Sequence, residues 1–135
     1  MKAKKPRLPA ARESDVDPYL RNLLKGIADG KTMLRFQKNG PIFAQGDEAD
    51  SIYFVQTGKV KITVVSSAGK EAVLAVLGPR SFLGEGCLVG QGVRIGTATA
   101  IQATTLFRIE RKAMLRALHA QPDLSERFTA SLLSR

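Results

Sequence analysis

The sequence predicts an α+β domain that is mostly β: an antiparallel roll, closed or double-sheeted, with one helix before it and two after it. Three observations carry that expectation. Between Thr32 and Ile109 the chain falls into eight short β-rich runs separated by Gly, Pro and Asp signals, the spacing of a roll. On either side of that span the apolar repeat is helical instead. The 135 residues, 44% of them apolar, can bury one core but leave no room for a second full domain.

The elements follow in order. Lys2, Lys4, Lys5, Arg7 and Arg12 load the N-terminus with positive charge, and without these five the net +9 of the chain drops to +4. With Pro6 and Pro9 among them and little to bury, residues 1–15 are expected to form a basic arm. It is either a solvated leader or a contact for nucleic acid or an anionic surface. Asp17-Pro18 reads as an N-cap followed by proline at the first helical position, and Tyr19, Leu20, Leu23, Leu24 and Ile27 share one face up to Gly30.

The strands are then TMLRF, PIF, SIYFVQT, KVKITVV, EAVLAVL, SFL, TATAIQA and TTLFRI. Gly40-Pro41, Gly46-Asp47, Thr57-Gly58, Ala68-Gly69 and Gly78-Pro79 punctuate them. Lys59, Lys61 and Thr63 alternate with Val60, Ile62 and Val64, predicting one wet and one dry face. Arg111 to Ala120 is expected to be a helix that Gln121-Pro122-Asp123 breaks. A second helix restarts there with Leu124, Phe128 and Leu132 inward, joined by Ala130 and Leu133.

Composition excludes several function classes. No apolar run approaches the roughly 18 residues that cross a bilayer, and the basic N-terminus lacks an apolar signal core, so cytoplasm is the expected compartment, with no membrane contact. Cys87 is the single cysteine and His119 the single histidine. One cysteine forms no internal disulfide and holds no iron–sulfur cluster. His119, late on an Arg-rich helix, reads as a surface or capping residue and not as a haem ligand. Cys87 reads as a small core thiol, with a redox-sensitive thiol as the alternative. No metal site is expected, because a roll that binds metal needs converging histidines and a carboxylate. Ser51, Ser66 and Ser67 have no activating base, and Asp47, Glu48 and Asp50 sit in a turn-like GDEAD segment, so the chain is not expected to be an enzyme.

The chemistry concentrates between Phe82 and Ala100, in FLGEGCLVGQGVRIGTATA. Gly84 and Gly86 let the backbone approach an anion without Cβ interference. A short helix beginning near Glu85 would aim unpaired N–H groups and the positive end of its dipole at it. Arg94 supplies a planar positive fork. The bland alternative is that Glu85 and Arg94 pair with each other across an empty cleft.

Three groups of residues carry a resemblance to a known family. They are Gly84-Glu85-Gly86, Arg94-Ile95-Gly96-Thr97, and the stretch Ile42 to Val64 with its F-x-x-G-D turn and S-I-Y-F-V-x-x-G-x-V strand. The sequence from about Thr32 to Arg135 resembles the cyclic nucleotide-binding domain of the Crp/Fnr transcriptional regulator superfamily. The resemblance implies a double-stranded β-helix, a jelly-roll-like β-roll, over residues 16–120 with its flanking helices, and the start of a dimerisation helix at 121–135. It further implies a cAMP- or cGMP-type ligand, a homodimer through the C-terminal helix, and DNA contact only through a helix-turn-helix domain absent from this chain. The chain is accordingly expected to be an excised sensor domain or else a stand-alone module.

By the same resemblance Arg94 would hold the cyclic phosphate and Glu85 the ribose 2′-hydroxyl, with backbone N–H groups around Gly86 and Cys87 completing the cradle. Two positions depart from the pattern. Ile95 stands where the family carries Ser or Thr, and a lost hydrogen bond to a charged acceptor costs about 1.5–3 kcal/mol. Thr97, two residues on and expected on the same strand face, is a partial substitute. Gly86 replaces an apolar anchor. Ile95 therefore also supports a second reading, a degenerate roll that no longer binds cyclic nucleotide and serves as a dimerisation or protein-contact module.

Overall fold

The computed structural model describes Leu24, residues 26–27 and residues 29–133. The basic arm and most of the leading helix lie outside the described residues. All eight expected strands are present: β1 (Lys31–Phe36), β2 (Pro41–Phe43), β3 (Ser51–Thr57), β4 (Val60–Val65), β5 (Glu71–Leu77), β6 (Phe82–Leu83), β7 (Thr97–Ala100) and β8 (Thr104–Glu110). Helices α1 (Arg111–Ala120) and α2 (Pro122–Leu133) follow.

The strands pair antiparallel in two four-stranded sheets, ordered β1-β8-β3-β6 and β2-β7-β4-β5. Strand β3 shows why the arrangement holds. It is buried from Ser51 to Gln56 because each of its faces meets a different core. Ile52 and Phe54 join Phe82, Phe107, Ile109, Met114, Leu124 and Phe128 in the cluster beneath the helices. Tyr53 and Val55 face the other way, into the space between the sheets, with Phe36, Ile42, Phe43, Leu83 and Leu106. Leu24 and Ile27 reach the first cluster, as the leading helix's apolar face predicts.

Aromatic contacts tie the sheet to the last helix. Phe54 meets Phe82 with ring centroids 4.5 Å apart, and Phe82 meets Phe128 edge-on at 4.8 Å. Such pairs contribute about 0.5–1.5 kcal/mol beyond their burial. Between α1 and α2 the chain breaks at Gln121, whose N–H donates to the Ala117 carbonyl, and Pro122 opens α2 at a position where a missing N–H does no harm.

Two details correct the sequence reading. The alternation expected along β4 fails at Thr63, which is buried, at the point where β5 carries an extra residue, Leu74, between the partners of Ile62 and Thr63. On α2, Leu124 and Phe128 are buried and Leu132 packs partly against them, but Ala130 and Leu133 point outward. Two turns expected at glycine-proline pairs take their positive φ one residue before or after them, at Asn39 and Arg80.

Candidate functional site

The cassette opens where β6 ends. Gly84 adopts φ 78°, a left-handed conformation that only glycine takes without strain, and a Cβ there would stand 2.6 Å from Arg94 Nη1. Both the turn and the approach of the arginine thus require glycine. A 3-10 turn follows over Glu85–Val89 and closes on Gly90, whose N–H donates to the Gly86 carbonyl. The expected helix is therefore a single tight turn of five residues, too short for a useful macrodipole, and what it offers an anion is backbone N–H groups.

Arg94 returns to this turn from the opposite side. Its backbone is fixed by the Gly46-Asp47 turn, with Arg94 N donating to Asp47 O and Gly46 N donating to Arg94 O, each at 2.8 Å. Here is the physical link between two motifs far apart in sequence: the G-D turn sets the backbone from which the arginine reaches inward. The side chain is 5% exposed. Nη2 donates to the Ser51 carbonyl at 2.7 Å and to Ser51 Oγ at 3.2 Å, and Nη1 donates to the Gly84 carbonyl at 3.2 Å. The guanidinium also lies over the rings of Phe43 and Tyr53, at 4.4 and 5.6 Å from their centroids. Its Nε is buried with no hydrogen-bond partner.

A cavity of about 230 Å³ is lined by Arg94, Glu85, Gln91, Gly84, Gly86, Gly96 and Ile95 on the cassette side and by Phe43, Ile62, Leu74, Ala75, Leu77 and Leu83 on the roll side. It is just below the usual range of about 300–1,000 Å³ for small-molecule sites, so it suits a compact ligand. A larger groove of about 780 Å³ lies outside it, between the Leu74 to Phe82 segment and Arg127, Ala130 and Ser131 of α2.

Of the sequence-predicted residues, Gly84, Glu85, Gly86, Arg94 and Ile95 converge on the cavity, while Cys87 and Thr97 do not line it. The Cys87 side chain turns into the protein, with Sγ 3.4 Å from the Ser51 carbonyl, and burial pushes its thiol pKa up against the opposing pull of Arg94 and Arg111. The Thr97 hydroxyl accepts from the Gln45 N–H at 2.9 Å, so it holds the β2–β3 connection instead of standing in for a hydroxyl at Ile95. Ile95 itself is 60% exposed. Sequence reasoning missed Ser51, Phe43, Tyr53 and Gln91. An acceptor and two rings on strands of two different sheets are signals only once the packing of the sheets is known.

The cavity thus combines a buried guanidinium that keeps an unpartnered N–H with two glycines, a donor set whose chemistry suits an anion. Among the described residues no group of acidic, histidine or cysteine side chains is arranged to hold a metal ion, and no helix is long and apolar enough to cross a membrane.

Comparison with known proteins places this geometry. The family model described as cyclic nucleotide-binding domain matches residues 33–121. The cyclic AMP receptor protein of Thermus thermophilus is 33% identical over 100 residues, 74% of this chain and 46% of that protein. Among solved structures, the catabolite activator protein of Thermus thermophilus superposes with TM-score 0.69 at 30% identity, over 84% of this chain and 57% of that one. The sensor domain of the transcriptional regulator DNR from Pseudomonas aeruginosa also gives 0.69, at 28% identity over 84% of this chain and 77% of that one. The chain spans about half the length of the curated relatives it matches. Fold, cassette and relatives agree, and the chain belongs to the cyclic nucleotide-binding domain family of the Crp/Fnr superfamily.

Proposed function

We propose that this domain is the ligand-sensing part of a Crp/Fnr-type transcriptional regulator, that it binds a cyclic nucleotide in the Arg94 cavity, and that it signals through α2. The observation that carries the reading is Arg94: nine-tenths buried, lining the cavity, and left with an unpartnered Nε. A buried donor of this kind costs free energy unless something accepts from it. The cyclic phosphate is that acceptor, and Glu85, at the start of the 3-10 turn, accepts from the ribose.

The route to α2 runs through packing. Leu88 of the 3-10 turn lies against the helix-side core, and Phe82, two residues before Gly84, holds Phe128 of α2 edge-on. A ligand that shifts the 3-10 turn changes what α2 packs on, and the response is a shift between two arrangements of the helix. The exposed Leu133 and the groove beside α2 are consistent with homodimerisation through that helix, and DNA contact belongs to a helix-turn-helix domain of the whole regulator. The domain works in the cytoplasm and carries no catalysis of its own.

Ile95 favours a second reading, a roll that has lost the ligand and serves as a contact module. Isothermal titration with cAMP and then cGMP separates the two. Under the proposal wild type gives saturable heat and Arg94→Ala lowers affinity by roughly a hundredfold or more. Flat wild-type traces would leave the contact-module reading.

A further inference from the structure

Gln91 lines the same cavity as Gly86 and Ile95, the two positions that depart from the family pattern. Of the side chains that line the cavity, only those of Glu85, Gln91 and Arg94 carry polar atoms. Arg94 has already committed both terminal nitrogens to Ser51 and Gly84. Glu85 brings an acceptor, and Ile95 brings carbon alone. The remaining neutral donor is the Gln91 carboxamide, with two N–H bonds.

Its position is built in. Gly90 reverses the chain with φ 94°, and the Gln91 N–H donates to the Gly86 carbonyl at 3.1 Å, folding residue 91 back over the 3-10 turn. The carboxamide then occupies the space a side chain at position 86 would fill: a Cβ there would collide with Gln91 Oε1 and lie 2.9 Å from its Cδ. Glycine at 86 and glutamine at 91 are a matched pair. Arg94, whose Nε has no partner, lines the same cavity.

We infer that Gln91 is a specificity-determining residue of this cavity, donating its amide N–H to the anionic head of a compact phosphodiester held by Arg94, and that Gly86 is small in order to admit it. The inference rests on the anion-binding reading above. It makes Gln91 the neutral donor that Ile95 does not supply.

The test is calorimetric titration of cAMP and of cGMP into wild type, Gln91→Ala, Gln91→Ala/Ile95→Ser and Arg94→Ala, with thermal melts as fold controls. Gln91→Ala is expected to weaken binding by roughly ten- to a hundredfold, the range for a hydrogen bond to a charged group. Adding Ile95→Ser should recover most of that loss by placing a hydroxyl next to Arg94. Gln91→Ala binding as tightly as wild type, while Arg94→Ala loses the ligand, would overturn the role of Gln91 and leave the anion site standing. Flat traces for wild type itself would instead overturn the anion-binding reading, and the role of Gln91 with it.

Discussion

Two concavities share the wall formed by Leu74, Ala75 and Leu77, and they are made differently. The groove against α2, about 780 Å³, is the larger, and its β5 side exposes Leu74 and Val76. The cavity inside the cassette, about 230 Å³, contains a buried guanidinium held by two carbonyls, a hydroxyl and two aromatic faces. Desolvating a cation is expensive, so every contact that holds Arg94 reports an arrangement the fold maintains. The groove is lined by Arg80, Ser81, Arg127 and Ser131 beside its apolar residues, and neither of its arginines is among the buried residues. The burial of the arginine, not volume, is what distinguishes the two concavities.

The comparison is broken most forcefully from the helix side. Phe128→Ala removes the ring that meets Phe82 and should lower stability by about 3 kcal/mol, the low end for a buried phenylalanine because the ring sits at the edge of the core. Thermal unfolding measures it. Because the proposed route to α2 runs through this contact, nucleotide affinity below the transition should change as well, and an unchanged affinity would remove that route.

Gly84→Ala sharpens the cavity side. It forces a Cβ onto φ 78° and against Arg94 Nη1, and should cost about 1–3 kcal/mol while also weakening nucleotide binding. Equal affinity for wild type and variant would mean that the Gly84–Arg94 contact does not shape the site.

The smallest effect concerns Cys87, whose thiol is raised by burial more than Arg94 and Arg111 lower it. A folded pKa above the unfolded value of about 8.5 means that the contribution to stability is complete below that pH and is lost as pH rises through the folded pKa. Melting temperatures followed from neutral into the alkaline range should therefore fall more steeply for wild type than for Cys87→Ala. Parallel curves would show that the thiol is not linked to folding.

Much of this architecture was legible in the sequence, and what was not has a pattern. Strands showed through their period and their turn residues, and Arg94 through the glycines facing it. Helix α2 showed through Pro122 and the spacing of Leu124 and Phe128. The hidden features depend on contacts between distant residues. Ser51 lies 43 positions from the arginine it holds, and Gln45 lies 52 from the threonine hydroxyl it binds, so neither partner leaves a local signal. Thr63 is buried on the face that alternation marks as wet, where the neighbouring strand bulges at Leu74. Gln91 and Gly86 face each other only because Gly90 reverses the chain between them.

The central claim, that the ligand is held by the buried arginine and not in the larger groove, is tested most directly by the Arg94 side-chain Nε–H resonance during titration with cAMP. The account predicts that this signal moves and saturates together with the backbone amides of Gly84, Glu85 and Gly86. A stationary Arg94 Nε–H, with saturable shifts confined to Arg127, Ala130 and Ser131, would place the ligand in the groove and contradict it.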